Sequence, residues 1–358
     1  IDRVCLAYLE RYGSEAQAVV QHRRYRRILD REASTALFEL LAMPRQSFRW
    51  RLARGALQFG MRPSCSGDGR LYLNIGHTGL NDPGLVAWLR QASVRPIYFV
   101  HDLIPITHPE FCRPGERGKH AARMHTLLAT GAGVIGNSQA TLDELRSFAG
   151  AEGFSVPPSI AAWLGTTPLP NPAPASVPER PTFVVLSTIE ARKNHLFLLR
   201  LWTLIVEKLG RKAPRLLVIG QRGWEADEAI DLLDRNEGLR GHVEEIGGCD
   251  DRTLAAHLAQ ARALLFPSLA EGYGLPLIEA LQAGTPVIAS DLPIFREIGQ
   301  GVPDLIDPLD QQAWERAILS YAEERSPDRD SQMERLRSFR VPTWDDHFAK
   351  VDSWLETI

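Results

Sequence analysis

At 358 residues, 44% hydrophobic and 24% charged, the chain is too long for one ordinary domain of roughly 100–200 residues, so two domains with buried cores are expected. A net charge of −3 gives no reason to expect nucleic acid as a partner, no apolar run approaches the roughly 20 residues of a membrane span, and no signal peptide is visible. The four cysteines, Cys5, Cys65, Cys112 and Cys249, show no C-x-x-C spacing, which speaks against disulfides and zinc and for reduced thiols, with the cytoplasm as the natural compartment.

The first predicted element is a helix over Arg3 to Arg11, with Val4, Ala7 and Tyr8 on one side. A hairpin turning at His22 to Arg26 and a helix over Ala33 to Met43 follow. Between Gln21 and Arg62 ten arginines oppose only Asp30, Glu32 and Glu39, and Phe48, Trp50, Leu52, Leu57 and Phe59 are interleaved with them. Such a basic, aromatic stretch suits either an anionic membrane face or a solvated arginine face on a packed helix.

Leu71 to Ile75 and Pro96 to Val100 read as strands, the first running into His77 and the second into His101 and Asp102. In an open α/β sheet, ligands bind beyond the carboxyl ends of the parallel strands, so both histidines fall at cleft-facing positions. Gly133 to Gly136 is a third strand, and Ser138 is placed to cap the helix Gln139 to Phe148, which is reason enough for a serine there. Eight of the 24 prolines fall between positions 157 and 181. This marks a stiff linker, with domains over 1–165 and 182–340, the linker at 166–181, and a final helix in 341–358.

The alternation then restarts. Thr182 to Leu186 is a strand whose exit loop, Ser187 to His195, carries Arg192 and Lys193, a fork and a point charge suited to an anion. Asn194 is placed to cap the helix Leu196 to Leu209. Arg215 to Ile219 leads into Gly220-Gln-Arg-Gly-Trp224, and Val243 to Ile246 into Gly247-Gly248-Cys249, where Asp250 or Asp251 can cap the next helix. Ala263 to Phe266 is a buried strand closed by Pro267 and Ser268. The loop Glu271-Gly272-Tyr273-Gly274 then feeds a helix with Pro276 in its first turn and Gly284 just past its end. A glycine loop at a helix N-terminus aims unpaired N–H groups one way and suits a phosphate. Glu271 and Glu279 flank it. Carboxylates repel phosphate but accept from vicinal hydroxyls such as a ribose, so phosphate and diol together suggest a nucleotide. Asp328 and Asp330 form an acid-x-acid pair, but in a solvated charge run, which reads as surface.

The run FPSLAEGYGLPLIEALQAGTPVIASD resembles the signature of retaining GT-B glycosyltransferases of family four (group 1), strongly over Thr182 to Ile298 and more loosely elsewhere. The resemblance implies an α/β GT-B fold, two Rossmann-like domains with parallel sheets facing across a cleft, and a C-terminal helix crossing back to the N-terminal domain. It implies a nucleotide-sugar donor, a glycan or lipid-linked acceptor, and metal-independent transfer without a cofactor. Glu279 then binds ribose and Glu271 faces the sugar. Lys193, with Arg192, clamps the diphosphate together with the backbone of Gly272, Tyr273, Gly274 and Leu275. The base lies near Gly220, Gly248 and Cys249, with Cys249 as an apolar wall. The segment VHDLIPITHPEFCRP is similar to the family's stretch facing the transferred sugar. This makes His101 a hydrogen-bond partner of that sugar, with His77 and Asp102 on the acceptor side and His108 as a further candidate. Family members open with a strand and glycine loop before a stretch such as IDRVCLAYLERYG, so that opening is expected to be missing here. The same features resemble bacterial mannosyltransferases acting in polysaccharide assembly. GDP-mannose is thus the expected donor, a UDP-hexose the alternative, and peripheral contact at the inner membrane face through residues 21–62 an associated expectation. A sugar-nucleotide epimerase or a non-catalytic glycosyltransferase-like subunit are the rival classes.

Overall fold

The computed structural model describes residues 2–22, 25–42, 64–172 and 178–358. Most of the arginine-rich segment, and with it the expected membrane contact, lies outside them. The chain forms two compact units, one made of residues up to Leu164 together with Trp344–Ile358, the other of Gly165–Thr343.

The first unit begins with helix α1 (Asp2–Tyr12), the antiparallel hairpin β1 (Val19–His22) and β2 (Tyr25–Ile28), and α2 (Arg31–Ala42). Four parallel strands then form one sheet in sequence order: β3 (Leu71–Asn74), β4 (Arg95–Val100), β5 (Gly133–Gly136) and β6 (Ser159–Ala161). Helices α3 (Gly84–Gln91), α4 (Ile104–Thr107), α5 (Glu116–Thr130) and α6 (Gln139–Ala151) connect them. From Pro96 to Val100 every residue of β4 is buried, the continuous apolar run of a strand covered on both faces. Ser138 caps α6, its Oγ accepting from the Thr141 N–H at 3.0 Å. β6 lies within the proline-rich stretch, where composition masks a short edge strand. Asn74, Asn137 and the histidines beyond β3 and β4 thus gather at the carboxyl end of this sheet.

The second unit is a six-stranded parallel sheet. Its strands are β7 (Thr182–Leu186), β8 (Arg215–Ile219), β9 (Val243–Ile246), β10 (Leu264–Phe266), β11 (Val287–Ser290) and β12 (Asp304–Ile306), in the order β12-β11-β10-β7-β8-β9. Counted from its own first strand this is the doubly wound order 3-2-1-4-5-6, which reverses between β7 and β10. Around it run α7 (His195–Leu209), α8 (Asp227–Arg235), α9 (Asp251–Gln260), α10 (Leu275–Gln282), α11 (Pro293–Ile298), α12 (Gln311–Ala322) and α13 (Pro327–Leu336). Trp202 of α7 is fully buried against Phe183, ring centroids 5.8 Å apart and edge to face, and its indole N–H donates to the Pro214 carbonyl. Such an aromatic pair contributes about 0.5–1.5 kcal/mol beyond its buried area. Asp250 is the residue that caps α9, accepting from the Thr253 N–H at 2.7 Å.

The last helix, α14 (Trp344–Leu355), belongs to the first unit. His347 is 1% exposed and its Nδ1 lies 2.9 Å from the Trp163 carbonyl. A carbonyl only accepts, so Nδ1 donates and Nε2 accepts from the Tyr8 hydroxyl of α1 at 2.9 Å. Asp352 holds Arg11 and Tyr12 of the same helix. No helix among the described residues is long and apolar enough to cross a membrane.

Candidate active site

The reversal between β7 and β10 puts their exit loops side by side. The β7 loop runs backbone to backbone with the β8 loop: the Ile189 N–H donates to the Gln221 carbonyl and the Gly223 N–H to the Ile189 carbonyl, both at 2.9 Å. A Cβ on Gly220, which has φ +153°, would stand 2.0 Å from the Ser187 carbonyl oxygen. Gly220 is therefore required by loop packing, whatever else it touches. Arg222 pins the same loop through Asp234 and Glu245.

Arg192 and Lys193 turn inward from this loop. The Arg192 guanidinium lies 2.7 Å from Glu190 and 3.3 Å from Glu271 and donates to the Ala270 carbonyl at 3.2 Å. Lys193 is buried, pairs with Glu271 through Nζ, and has the Phe266 ring 5.5 Å away. Burial pulls the Lys193 amine down from its usual range, and Glu271 pulls it part of the way back. Glu271 also accepts from the Ser268 hydroxyl at 2.8 Å. Asn194 was expected to cap α7 but makes no side-chain cap. It adopts φ +61° and donates from Nδ2 to the Pro267 carbonyl at 3.1 Å, while the Leu269 N–H donates to the Arg192 carbonyl at 2.8 Å. Placement in the left-handed region turns the side chain away from the helix end, and the β7 and β10 loops are stitched together instead.

The glycine loop follows Glu271 directly. Gly274 has φ +102°, and a Cβ there would stand 2.6 Å from Phe295 Cε1, so only glycine fits as the chain enters α10. Pro276 lies in the first turn, and Gly284, φ +81°, follows the C-terminus as expected. Tyr273 is 6% exposed. Its ring is part of the core, leaving backbone to offer a ligand. Glu279 lies one turn into α10 and is partly exposed. The first turn of any helix presents N–H groups without intrahelical partners and the positive end of the macrodipole.

Gly248 and Cys249 lie at the exit of β9, two strands from β7, so the structure does not bring them into the Lys193–Glu271 cluster. Burial, then Asp250 and Asp251, push the Cys249 thiol up. It stays protonated and is a poor nucleophile. None of the four cysteines is in a disulfide. Asp328 and Asp330 lie in the first turn of α13, with Asp328 accepting from Ser320 on an exposed surface.

In the first unit His77 and His101 come together at the ends of β3 and β4, ring centroids 5.5 Å apart, with His120 of α5 5.9 Å from His77. Asp102 caps the following turn, its carboxylate accepting from the Ile104 N–H at 3.1 Å and its carbonyl from His120 Nε2 at 3.1 Å. His108 stands apart, stacked on Phe111 at 6.2 Å. Burial lowers His77 to about 4 and lowers His101 and His120 as well, so these rings are neutral near pH 7.

Sequence reasoning missed Glu190, Ser268, His120 and Asn137. Ser268 had a signal, the polar residue ending an otherwise apolar strand. His120 had none, because nothing in a helical stretch reveals which strand end its ring will meet.

A doubly wound C-terminal unit with a cationic loop and a glycine-fed helix at its switch point, and a second parallel α/β unit in the same chain, are the two units of a GT-B fold. Residues 171–338 match the family model of glycosyl transferases group 1. The serotype-specific mannosyltransferase WbdA of Escherichia coli is 30% identical over 233 residues, 59% of this chain but 28% of that protein. The O-antigen chain mannosyltransferase B of Escherichia coli is 34% identical over 142 residues, 39% of this chain and 36% of its own length. The chain therefore spans well under half the length of these curated relatives. Among solved structures, HepE of Anabaena in complex with UDP superimposes with a TM-score of 0.69 at 15% identity, covering 100% of this chain and 96% of its own.

Proposed function

We propose that the chain is a retaining hexosyltransferase that moves mannose from GDP-mannose onto a glycan or lipid-linked acceptor during bacterial surface-polysaccharide assembly. The observation that carries this reading is the pairing of Arg192 and Lys193 with Glu271 at the switch point, directly before the glycine loop that enters α10. Two cations next to a helix N-terminus form a site for a diphosphate, and Glu271 holds them in place while no anion is bound. The mannosyltransferase relatives support the donor sugar, whereas HepE in complex with UDP supports a UDP-hexose as the second reading.

In this mechanism the difficult step is departure of the nucleoside diphosphate. Negative charge grows on the leaving oxygen as the glycosidic bond breaks, and preorganised Lys193, Arg192 and the backbone N–H groups entering α10 stabilise it without reorganising. As the diphosphate takes over the cations, Glu271 is released to accept from sugar hydroxyls. Glu279 accepts from the ribose diol. His101 holds a hydroxyl of the transferred sugar, and the acceptor hydroxyl attacks from the face the diphosphate leaves. Peripheral contact with the inner membrane face through residues 21–62 completes the reading for a lipid-linked acceptor.

Thermal-shift screening with GDP, UDP and their sugars, followed by product analysis with acceptor present, tests the reading. Stabilisation by GDP-mannose with α-linked product is expected. Stabilisation by UDP-sugars alone would move the donor to the second reading, and no shift with any nucleotide would overturn both.

A further inference from the structure

The strand exits of the first unit carry a reciprocal arrangement. His77, three residues beyond β3, reaches the β4 carbonyl of Phe99 with Nε2 at 2.6 Å. His101, the first residue beyond β4, reaches back to the Ile75 carbonyl beyond β3 with Nε2 at 2.7 Å. Carbonyl oxygens only accept, so both rings donate from Nε2. A neutral imidazole protonated at Nε2 has a bare lone pair at Nδ1. Among the described residues His101 Nδ1 has no hydrogen-bond partner, and it is not one of the buried orphan atoms, so it remains open to solvent.

The backbone sharpens the point. His77 has φ +58°, a left-handed conformation that glycine or asparagine adopts at less cost. His77 takes it up with its ring turned to the Phe99 carbonyl. That ring lies against His101 on one side and His120 on the other. From the next strand, Asn137 donates from Nδ2 to the His101 carbonyl at 2.7 Å, while its own Oδ1 accepts from Thr141 at 2.8 Å. Phe99 covers the His101 ring at 4.7 Å between centroids. Two rings crossing between adjacent strand ends leave His101 one orientation and one tautomer.

We propose that His77 is a positioning residue for His101: the crossed pair of hydrogen bonds fixes His101 as the Nε2–H tautomer and presents Nδ1 as an acceptor for a substrate hydroxyl. This rests on the transferase reading above for the identity of the hydroxyl, but not for the tautomer. The substrate class follows from the chemistry. A neutral Nδ1 acceptor selects an O–H donor, and a sugar analogue deoxygenated or methylated at the contacted hydroxyl is discriminated against.

The test is nitrogen-15 NMR of histidine-labelled, unliganded full chain, with signals assigned through single-histidine variants. His101 is expected as the Nε2–H tautomer at pH 7. In His77→Gly, which relaxes the backbone, and in His77→Gln, which keeps an N–H donor, the readout is the His101 tautomer with kcat and donor KM. The glycine variant should show a mixed tautomer and about a tenfold loss of kcat at near-constant KM, with partial recovery in the glutamine variant. An Nδ1–H tautomer in the wild type, or an unchanged tautomer and kcat in His77→Gly, overturns the proposal. If the glycine variant fails to fold, the wild-type tautomer and the glutamine variant still decide. Absence of transfer from any nucleotide sugar would count against the function alone, because the tautomer is read without substrate.

Discussion

The carboxyl end of the second unit's sheet is ionic, and that of the first unit's sheet is neutral. At the switch point between β7 and β10, two cations and two carboxylates hold one another in a mostly buried cluster. At the ends of β3 and β4, three histidines are kept uncharged by burial and tied to backbone carbonyls. The difference teaches that the two units offer a ligand different chemistry. Charge that develops on a leaving diphosphate needs fixed opposite charge. A sugar hydroxyl needs only an oriented neutral partner.

The comparison breaks first at Lys193. Lys193→Ala removes a buried cation and is expected to lower the transfer rate by about 10²–10³, measured by initial rates at saturating donor. If the rate stays within about twofold, the ionic half of the account fails. His101→Phe, on the neutral side, removes one hydrogen-bond partner and should cost about tenfold in kcat. A larger loss than that of Lys193→Ala would reverse the assignment. Glu271→Gln separates holding from catalysis. With no carboxylate to displace, GDP should bind several-fold more tightly by calorimetry, while transfer falls by about tenfold.

How legible this was depends on the range of the interaction. The glycine loop, the entry and exit of α10, and the cationic pair were readable because each is a local requirement of backbone conformation: Gly274 and Gly284 both take positive φ, and Pro276 lies in the first turn of α10. The parallel alternation of the second unit was equally readable from its buried apolar runs. Partners were not. Nothing local says that Asn194 will bind the Pro267 carbonyl, that Glu271 will neutralise Lys193, or that His77 and His101 will donate to the Phe99 and Ile75 carbonyls across two strand ends. Those contacts depend on which strands become neighbours, and in the second unit the sheet reverses order at the very place where the loops meet.

Smaller effects sharpen the picture. Gly220→Ala forces a Cβ onto the Ser187 carbonyl and should destabilise the second unit by about 1–3 kcal/mol. Gly284→Ala, with φ +81° but open space around it, should cost about 1 kcal/mol. Equal midpoints in urea for the two would show that the β7 and β8 loops do not meet as described. Burial lowers His77 and His195 to about 4, below the ordinary value of 6.5. The unfolded chain then binds protons that the folded chain rejects, so the stability these rings lend is complete above about pH 6.5 and is lost as pH falls towards 4. Thermal melts across that window should show a falling midpoint, and His195→Asn should flatten the decline.

The most direct measurement is calorimetric titration of GDP-mannose into the wild-type chain and into Lys193→Ala. The account predicts saturable binding to the wild type and affinity weakened by about 10–100-fold in the variant, the loss expected for a charge-assisted contact to a diphosphate. Equal affinity in the two proteins, or no binding of any nucleotide sugar to the wild type, would contradict it.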